Sequence, residues 1–477
     1  MTESPTAPGS STLAAGRWTD AGEGFGVLDK YRGDVIAEVP ATPAAQVQQI
    51  VDGLCAATAA EPPPPAERAA VLRRAADLVA ERRAEFAALL TAEAGFTQGD
   101  ADNEIDRACL TLRLCAEEAT RLTGETVDFS SSPGQHRRLG FTLRAPIGVV
   151  CAITPFNSPL NTVIHKIGPA LAGGNAVVLK PSELTPLTAG LLCRVLLDAG
   201  QRPELLALVN GAGKVGEELL AHQGIGFYSF TGSTAVGRRI RAGAGLRRVQ
   251  LELGSIASTI VCADADLDRA VPKIANAAFR KAGQVCTSTQ RLYVERPAVD
   301  DVVSRLIDTL AGMPAGDPRD PETRIGPLIS DASAARVSDW VDQALESGAS
   351  VGCGGRRHGP VYQPTVLLGA APGMAVVDQE VFGPVVSVLP YDDLDTAVAS
   401  GNDTPYGLAA GIFTRDVDVA LRAARALRVG TVNVNEASSA RADAMPFGGV
   451  KSSGQGREGP AHAIREVTEE RLVTLNP

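Results

Sequence analysis

The chain of 477 residues predicts an α/β fold built on parallel sheets, divided into two or more domains. Short apolar runs alternate with amphipathic stretches of helical period, the pattern of strands joined by crossover helices. Each apolar run ends in a turn rich in Gly, Pro, Asn or Ser. The length also exceeds what one ordinary hydrophobic core organises.

Taken in order, Met1 to Gly16 is rich in Ser, Thr, Pro and Ala and reads as a disordered tail. Pro62 to Pro65 mark a loop. A long helix is expected from Ala66 to Thr91, where Leu72, Val79 and Phe86 fall seven apart and Leu78 and Leu89 widen the apolar stripe. The segment Gly124 to Arg144 breaks the rhythm, is polar around Ser130 to His136, and reads as a hairpin arm. Val149 to Ile153, Ala176 to Lys180, Leu206 to Val209 and Phe227 to Phe230 read as buried strands with helices between them. No internal repeat of fixed period is present.

Composition narrows the function. Hydrophobic residues make up 44%, charged residues 21%, and the formal net charge is -10, which suits a soluble globular protein and not a nucleic-acid binder. No apolar run reaches the length of a membrane span, and the N-terminus lacks the basic flank and apolar core of a signal peptide, so a cytoplasmic protein with no membrane partner is expected. The eight cysteines form no CxxC pair and no His/Cys cluster at ligand spacing, so neither a metal site nor a disulfide framework is expected.

The candidate chemistry centres on Gly283-Gln284-Val285-Cys286 and on Leu251-Glu252-Leu253-Gly254, 34 residues upstream. A cysteine nucleophile and an acid are the makings of covalent catalysis. Gly283 would let the backbone approach a bound ligand, and Thr287, Ser288 and Thr289 surround the thiol with hydroxyls. Cys55, Cys109, Cys115, Cys151, Cys193, Cys262 and Cys353 sit mostly among Ala, Leu and Val, where a buried structural thiol is the better reading. Phe230-Thr231-Gly232-Ser233 leaves a strand through glycine and enters a helix with a hydroxyl at its start, so backbone N–H groups and the helix dipole face a phosphate. That sequence also fits an ordinary helix cap. Lys180 and Glu183 could grip ribose hydroxyls or form a surface ion pair.

From Ala66 onward the chain resembles the aldehyde dehydrogenase superfamily. The resemblance rests on Ala145-Pro146-Ile147-Gly148-Val149, Ile153-Thr154-Pro155-Phe156-Asn157, Leu179-Lys180-Pro181-Ser182-Glu183, Phe230-Thr231-Gly232-Ser233, the Glu252 and Cys286 segments, Glu380-Val381-Phe382-Gly383-Pro384 and Pro446-Phe447-Gly448-Gly449-Val450-Lys451, in that order. It implies that Cys286 attacks an aldehyde, that the Asn157 amide and the Cys286 N–H hold the oxyanion, and that Glu252 activates the water that hydrolyses the thioester. It further implies that Lys180 and Glu183 bind the adenosine ribose, Ser233 the pyrophosphate, and Glu380 and Phe382 the nicotinamide ribose and its surroundings. Ser182, Gly216, Thr231 and Gly232 join the cofactor set. Glu183 would accept from a 2'-hydroxyl and repel a 2'-phosphate, which favours NAD, with NADP as the alternative.

Ser255 stands where a second glycine is commoner, and together with Asn161 to Lys166 and Arg441 to Gly449 it resembles the branch of lactaldehyde dehydrogenases and related short-chain enzymes. For the substrate, a small polar or anionic aldehyde, the candidate residues are Arg107, Phe156, His165 and Arg441. An arginine can meet a carboxylate or phosphonate bidentately. Equally, Arg107 could pair with Glu104 or Glu118, Arg441 with Asp443, and His165 could be an ordinary helix residue. Val285 replaces the arginine that phospho-aldehyde relatives often carry before the nucleophile, and Arg280 and Lys281 are expected on the preceding helix. His136, His222, His358 and His462 carry no motif.

The resemblance implies an NAD-binding domain over 1–122 and 144–251, a catalytic domain over 252–440, and an oligomerisation arm with C-terminal segment over 123–143 and 441–477. A homodimer or homotetramer is the expected assembly. Two rival readings stay open, a cofactor-independent thiol acyl hydrolase and a phosphonate- or phospho-aldehyde-specific dehydrogenase.

Overall fold

A computed structural model describes residues 11–476. Two sheets organise the molecule. The first has eight strands in the spatial order Arg17–Thr19, Thr12–Ala14, Leu206–Leu208, Ala176–Lys180, Val149–Ile153, Ile225–Thr231, Arg248–Glu252 and Gly454–Gln455. Its five inner strands are mutually parallel. Val149–Ile153 and Ala176–Lys180 are buried at every position, so they read as continuous apolar runs, not alternating ones. The second sheet has seven strands, ordered Ser350–Cys353, Thr365–Leu368, Val385–Tyr391, Thr289–Glu295, Ala257–Val261, Ala409–Phe413 and Thr431–Val434, parallel except at the first pair. The α/β class expected from the alternating pattern is the one found. Separate apolar clusters pack on the sheets, one around Leu72, Phe86, Ile105 and Leu179 and another around Phe279, Leu292, Val337 and Val386.

The strand expectations hold with small shifts: Leu206 pairs only as far as Leu208, and the strand through Phe227 runs from Ile225 to Thr231. The single helix expected over 66–91 is two, Pro65–Glu81 and Arg83–Ala94, parted at Arg82 with φ −97° and ψ 22°. Arg82 there binds Glu85 with Nε 2.9 Å from Oε1, and the change of direction brings Phe86 and Leu90 into the same core as Leu72 and Val79. The expected disordered tail is also corrected. Residues 1–10 lie outside the described residues, but Thr12–Ala14 is a strand whose Leu13 is fully buried against Leu208.

The segment 124–144 forms a hairpin, Thr126–Asp128 with Leu139–Pro146, and the C-terminal strand Thr468–Leu475 pairs along the whole length of the latter. Residues 441–477 do more than extend this arm. Gly454–Gln455 caps the edge of the eight-stranded sheet beside Glu252, and helix Pro460–Glu466 packs on helices Gln98–Arg121 and Asn161–Ala172. Among the described residues no helix is long and apolar enough to cross a membrane.

Candidate active site

The carboxyl ends of adjacent parallel strands all open on one edge of the eight-stranded sheet. Ala176–Lys180 ends in Lys180, Val149–Ile153 leads into the Asn157 loop, Ile225–Thr231 into Gly232 and Ser233, and Arg248–Glu252 ends in Glu252. Ligands of open α/β sheets bind along such an edge. Cys286 comes to the same place from the other sheet's side of the molecule, in the loop before strand Thr289–Glu295. A cleft of about 240 Å³ is lined by Phe156, Asn157, Glu252 and Cys286, and by Thr231, Gly232, Ser233, Glu380 and Phe382. Lys180, Ser182, Glu183 and Gly216 lie outside that lining, further along the edge, and Gly216 adjoins the Lys180 side chain.

Cys286 is presented by an unusual backbone. Helix Leu267–Phe279 stops because Lys281 and Ala282 adopt left-handed conformations, with φ of 52° and 53°, and Gly283 follows with φ of 69°. Side chains at the first two positions cost roughly 1 kcal/mol each in this region. Gly283 itself is required by packing: a Cβ there would sit 2.1 Å from the Gly383 carbonyl oxygen. The expected purpose of Gly283, room for a ligand, is therefore corrected, because the neighbour that needs the room is the chain's own Gly383-Pro384. The turn also corrects the placement of Arg280 and Lys281. Neither lies within the preceding helix, and both line the cleft.

Burial pushes the Cys286 thiol up to about 12, the nearby Arg441 pulling the other way and Glu252 adding to the rise. Glu252 is 3% exposed, and neither of its carboxylate oxygens has a hydrogen-bond partner among the described residues. Burial, and then the charge of Glu458, lifts its carboxyl well above the usual carboxylate range. A buried, unpartnered carboxyl contributes nothing to stability, so its place in the cleft calls for a chemical role. The Asn157 amide donates to the Gln284 carbonyl at 2.8 Å, which fixes it beside the Cys286 loop. Phe156 and Phe382 meet edge to face, ring centres 5.8 Å apart.

On the nucleotide side, Ser233 caps helix Thr234–Ala244, its Oγ accepting from the Val236 N–H at 3.4 Å. Lys180 is buried with its Nζ 3.1 Å from the Pro181 carbonyl and 3.9 Å from Glu183. Glu380 accepts from the Ser255 N–H at 2.9 Å, and burial raises its carboxyl to about 7. Gly254 admits it: a Cβ there would lie 2.7 Å from Glu380 Oε2.

A buried ionic network forms the floor. Arg107 holds both oxygens of Asp443, with Nη2 2.7 Å from Oδ1 and Nε 3.1 Å from Oδ2. Asp443 also accepts from Asn161 at 3.0 Å and lies 2.9 Å from His165 Nε2. Burial, followed by the charge of Arg441, lowers the pKa of His165, so the ring is neutral at neutral pH and donates through Nε2–H. Arg441 binds Glu458 at 2.9 Å and stacks over Phe447, while Lys166 takes the other Glu458 oxygen at 3.0 Å. Both expected ion pairs are thus replaced. Glu104 makes no ion pair with Arg107 among the described residues, accepting instead from Lys281 at 2.8 Å, Ser158 at 2.9 Å and the Asn161 N–H at 2.9 Å. Asp443 was named in the sequence reading but given to Arg441, because its true partner Arg107 is 336 residues away, and Glu458 escaped because it lies in no motif. Arg280 was visible but assigned to the wrong element.

A half-buried thiol and a buried acid face one cleft at the carboxyl edge of a parallel sheet, in an α/β fold of the dinucleotide-binding kind. The chain belongs to the aldehyde dehydrogenase family, whose model matches residues 18–473. It is 45% identical over 462 residues to 3-sulfolactaldehyde dehydrogenase of Priestia aryabhattai, covering 97% of each chain. It is 37% identical over 474 residues to the succinate-semialdehyde dehydrogenase [NADP(+)] of Escherichia coli, again over 97% of each. Among solved structures, the NADP-dependent glyceraldehyde-3-phosphate dehydrogenase of Bacillus halodurans complexed with NADP superposes with a TM-score of 0.95, at 34% identity over 99% of both chains.

Proposed function

We propose that the protein oxidises a small polar or anionic aldehyde to its carboxylic acid with a nicotinamide dinucleotide and releases the product by hydrolysis. The observation that carries this reading is the pairing in one cleft of the Cys286 thiol with the unpartnered carboxyl of Glu252. Family membership and the relatives' activities on sulfolactaldehyde and succinic semialdehyde support it.

The residues present suit the cofactor. Among the described residues, Thr231 Oγ1 is buried without a partner and the Lys180 ammonium meets only one carbonyl and a distant carboxylate, while the Ser233 helix start offers N–H groups to a pyrophosphate. Lys180, Ser182 and Glu183 would hold the adenosine ribose near Gly216, and Glu380 and Phe382 the nicotinamide side. Glu183 favours NAD, with NADP as the alternative. When bound, the cofactor supplies the hydride acceptor.

The chain's own groups perform the rest. The Cys286 sulfur adds to the aldehyde carbon, its proton passing to a base, and the oxyanion of the thiohemiacetal takes donors from Asn157 and the Cys286 N–H. After oxidation to the thioester, Glu252 accepts a proton from the attacking water, for which a carboxyl raised toward neutrality is suited. A base in this position favours hydrolysis over transfer to another acceptor. The exposed apolar side chains of the arm sheet, Leu139, Phe141, Leu143, Leu472 and Leu475, would pair subunits into a homodimer or homotetramer. The eight free thiols agree with a reducing, cytoplasmic setting.

The test is nicotinamide reduction, followed by absorbance, with short neutral, carboxylated, sulfonated and phosphonated aldehydes, beside Cys286→Ala. Cysteine-dependent reduction supports the proposal. Ester cleavage through Cys286 with no nicotinamide reduction by any aldehyde would replace it with the acyl-hydrolase reading.

A further inference from the structure

Two hydrogen bonds tie Asn157 to the turn before Cys286. Its Nδ2 donates to the Gln284 carbonyl at 2.8 Å, and its backbone carbonyl accepts from Lys281 Nζ at 3.2 Å. Gln284 is held in turn, its Nε2 donating to the Lys281 carbonyl at 3.2 Å. Lys281 therefore touches both the loop that carries Asn157 and the turn that carries Cys286.

The lysine is fully engaged there. An ammonium has three N–H groups, and those of Lys281 meet Glu104 Oε2 at 2.8 Å, Ser158 Oγ at 3.0 Å and the Asn157 carbonyl. Glu104 also accepts from Ser158 Oγ at 2.9 Å and from the Asn161 N–H at 2.9 Å, so one ion pair gathers the loop from Asn157 to the start of helix Asn161–Ala172. Both side chains are withdrawn from water, with exposures of 5% and 0%, and the ammonium lies 4.2 Å from the centre of the Phe96 ring. Burial works to raise the Glu104 carboxyl, but the charge and hydrogen bond of Lys281 hold it below the usual range, so the pair is ionic. Lys281 is also left-handed, with φ of 52°, where glycine or asparagine would sit at less cost. A reversal of the chain by itself needs no buried ammonium.

Resting on the aldehyde dehydrogenase reading and the oxyanion role of Asn157 above, we propose that Lys281 and Glu104 are positioning residues that set the Asn157 amide against the Cys286 loop. Neither donates to the oxyanion. They fix the loop that does, so the stabilisation appears only when the thiol has added to a carbonyl and the oxyanion has formed. Binding of the aldehyde or the nucleotide does not draw on it.

The experiment is a double-mutant cycle on nicotinamide reduction with Lys281→Met, Asn157→Ala and the two combined. Lys281→Met alone should lower kcat by about 10- to 100-fold, the scale for a displaced reacting group, with both KM values little changed. In the Asn157→Ala background it should cost roughly threefold or less, because the group it positions is gone. A loss as large in that background as in the wild type, or one confined to KM, overturns the inference. Because Lys281→Met strands the Glu104 charge, Glu104→Gln combined with Lys281→Met removes both charges and should show the same coupling. Should neither fold, Ser158→Ala, which takes away only the hydroxyl between the two charges, should give a smaller loss of kcat that again vanishes with Asn157→Ala. Cleavage of para-nitrophenyl acetate through Cys286 reads the same loop without nicotinamide. Coupling in that assay with no nicotinamide reduction would keep the inference and drop the dehydrogenase reading, and nicotinamide reduction without coupling would do the reverse. A protein with neither activity loses both.

Discussion

Arg107 Nη2 lies 2.7 Å from Asp443 Oδ1, joining helix Gln98–Arg121 to a C-terminal segment 336 residues away in the chain. Both groups are largely withdrawn from solvent, with side-chain exposures of 21% and 4%. Asp443 is also bound by Asn161 and His165, so one carboxylate locks the floor of the cleft.

Removing that carboxylate as Asp443→Ala strands the Arg107 charge and should destabilise the fold by roughly 3 kcal/mol, the scale for breaking a buried pair. Burial works to raise the Asp443 pKa, but the hydrogen bonds from His165 and Arg107 and the Arg107 charge hold it well below the usual range. A depressed carboxylate stabilises above its unfolded pKa of about 4 and loses that contribution as pH falls. Denaturant midpoints should therefore differ most between wild type and variant near neutrality and converge in acid.

Asn157→Ala should lower kcat by about 10²- to 10³-fold, as expected for one oxyanion donor, with little change in KM. A change confined to KM would remove Asn157 from the oxyanion role.

With Glu252→Gln, hydride transfer should proceed once and the thioester should persist, detectable as an acyl adduct on Cys286 by intact mass. Burial and Glu458 raise the Glu252 carboxyl, so wild-type kcat should climb with pH through an apparent pKa well above 4.5, and the variant should lose that limb. Rapid turnover by the variant without an adduct would assign deacylation to another base.

Glu93 tests a buried carboxyl away from the chemistry. It accepts from the Leu187 N–H at 2.9 Å and the Thr188 N–H at 2.7 Å, and burial raises its pKa to about 7 even with Lys30 nearby. A raised carboxyl stabilises below its unfolded pKa and loses that contribution as pH rises through the folded one. The cost of Glu93→Gln, measured by thermal or urea unfolding, should accordingly shrink by about 3 kcal/mol between pH near 4 and pH near 8.

Glu183→Ser should move the kcat/KM ratio toward NADP by about tenfold or more, since a carboxylate repels a 2'-phosphate at close range. An unchanged ratio would place the ribose contacts elsewhere along the sheet edge.

Much of this was legible locally. Val149–Ile153 and Ala176–Lys180 were visible as unbroken apolar runs because strands buried on both faces need no polar positions. The break at Arg82 was invisible, because Ala, Leu, Glu and Arg favour helix on either side of it and only the packing of Phe86 and Leu90 decides the turn.

By itself the sequence determined the α/β class and the family, since each is carried by short segments whose pattern is local. Tertiary structure alone decided which charged groups pair with which. Ion pairing falls off over a few ångströms while its partners sit far apart in the chain, as Arg107 and Asp443 do. Only the folded turn at Lys281 and Ala282 takes Arg280 off its helix and sets it beside Cys286 in the cleft lining.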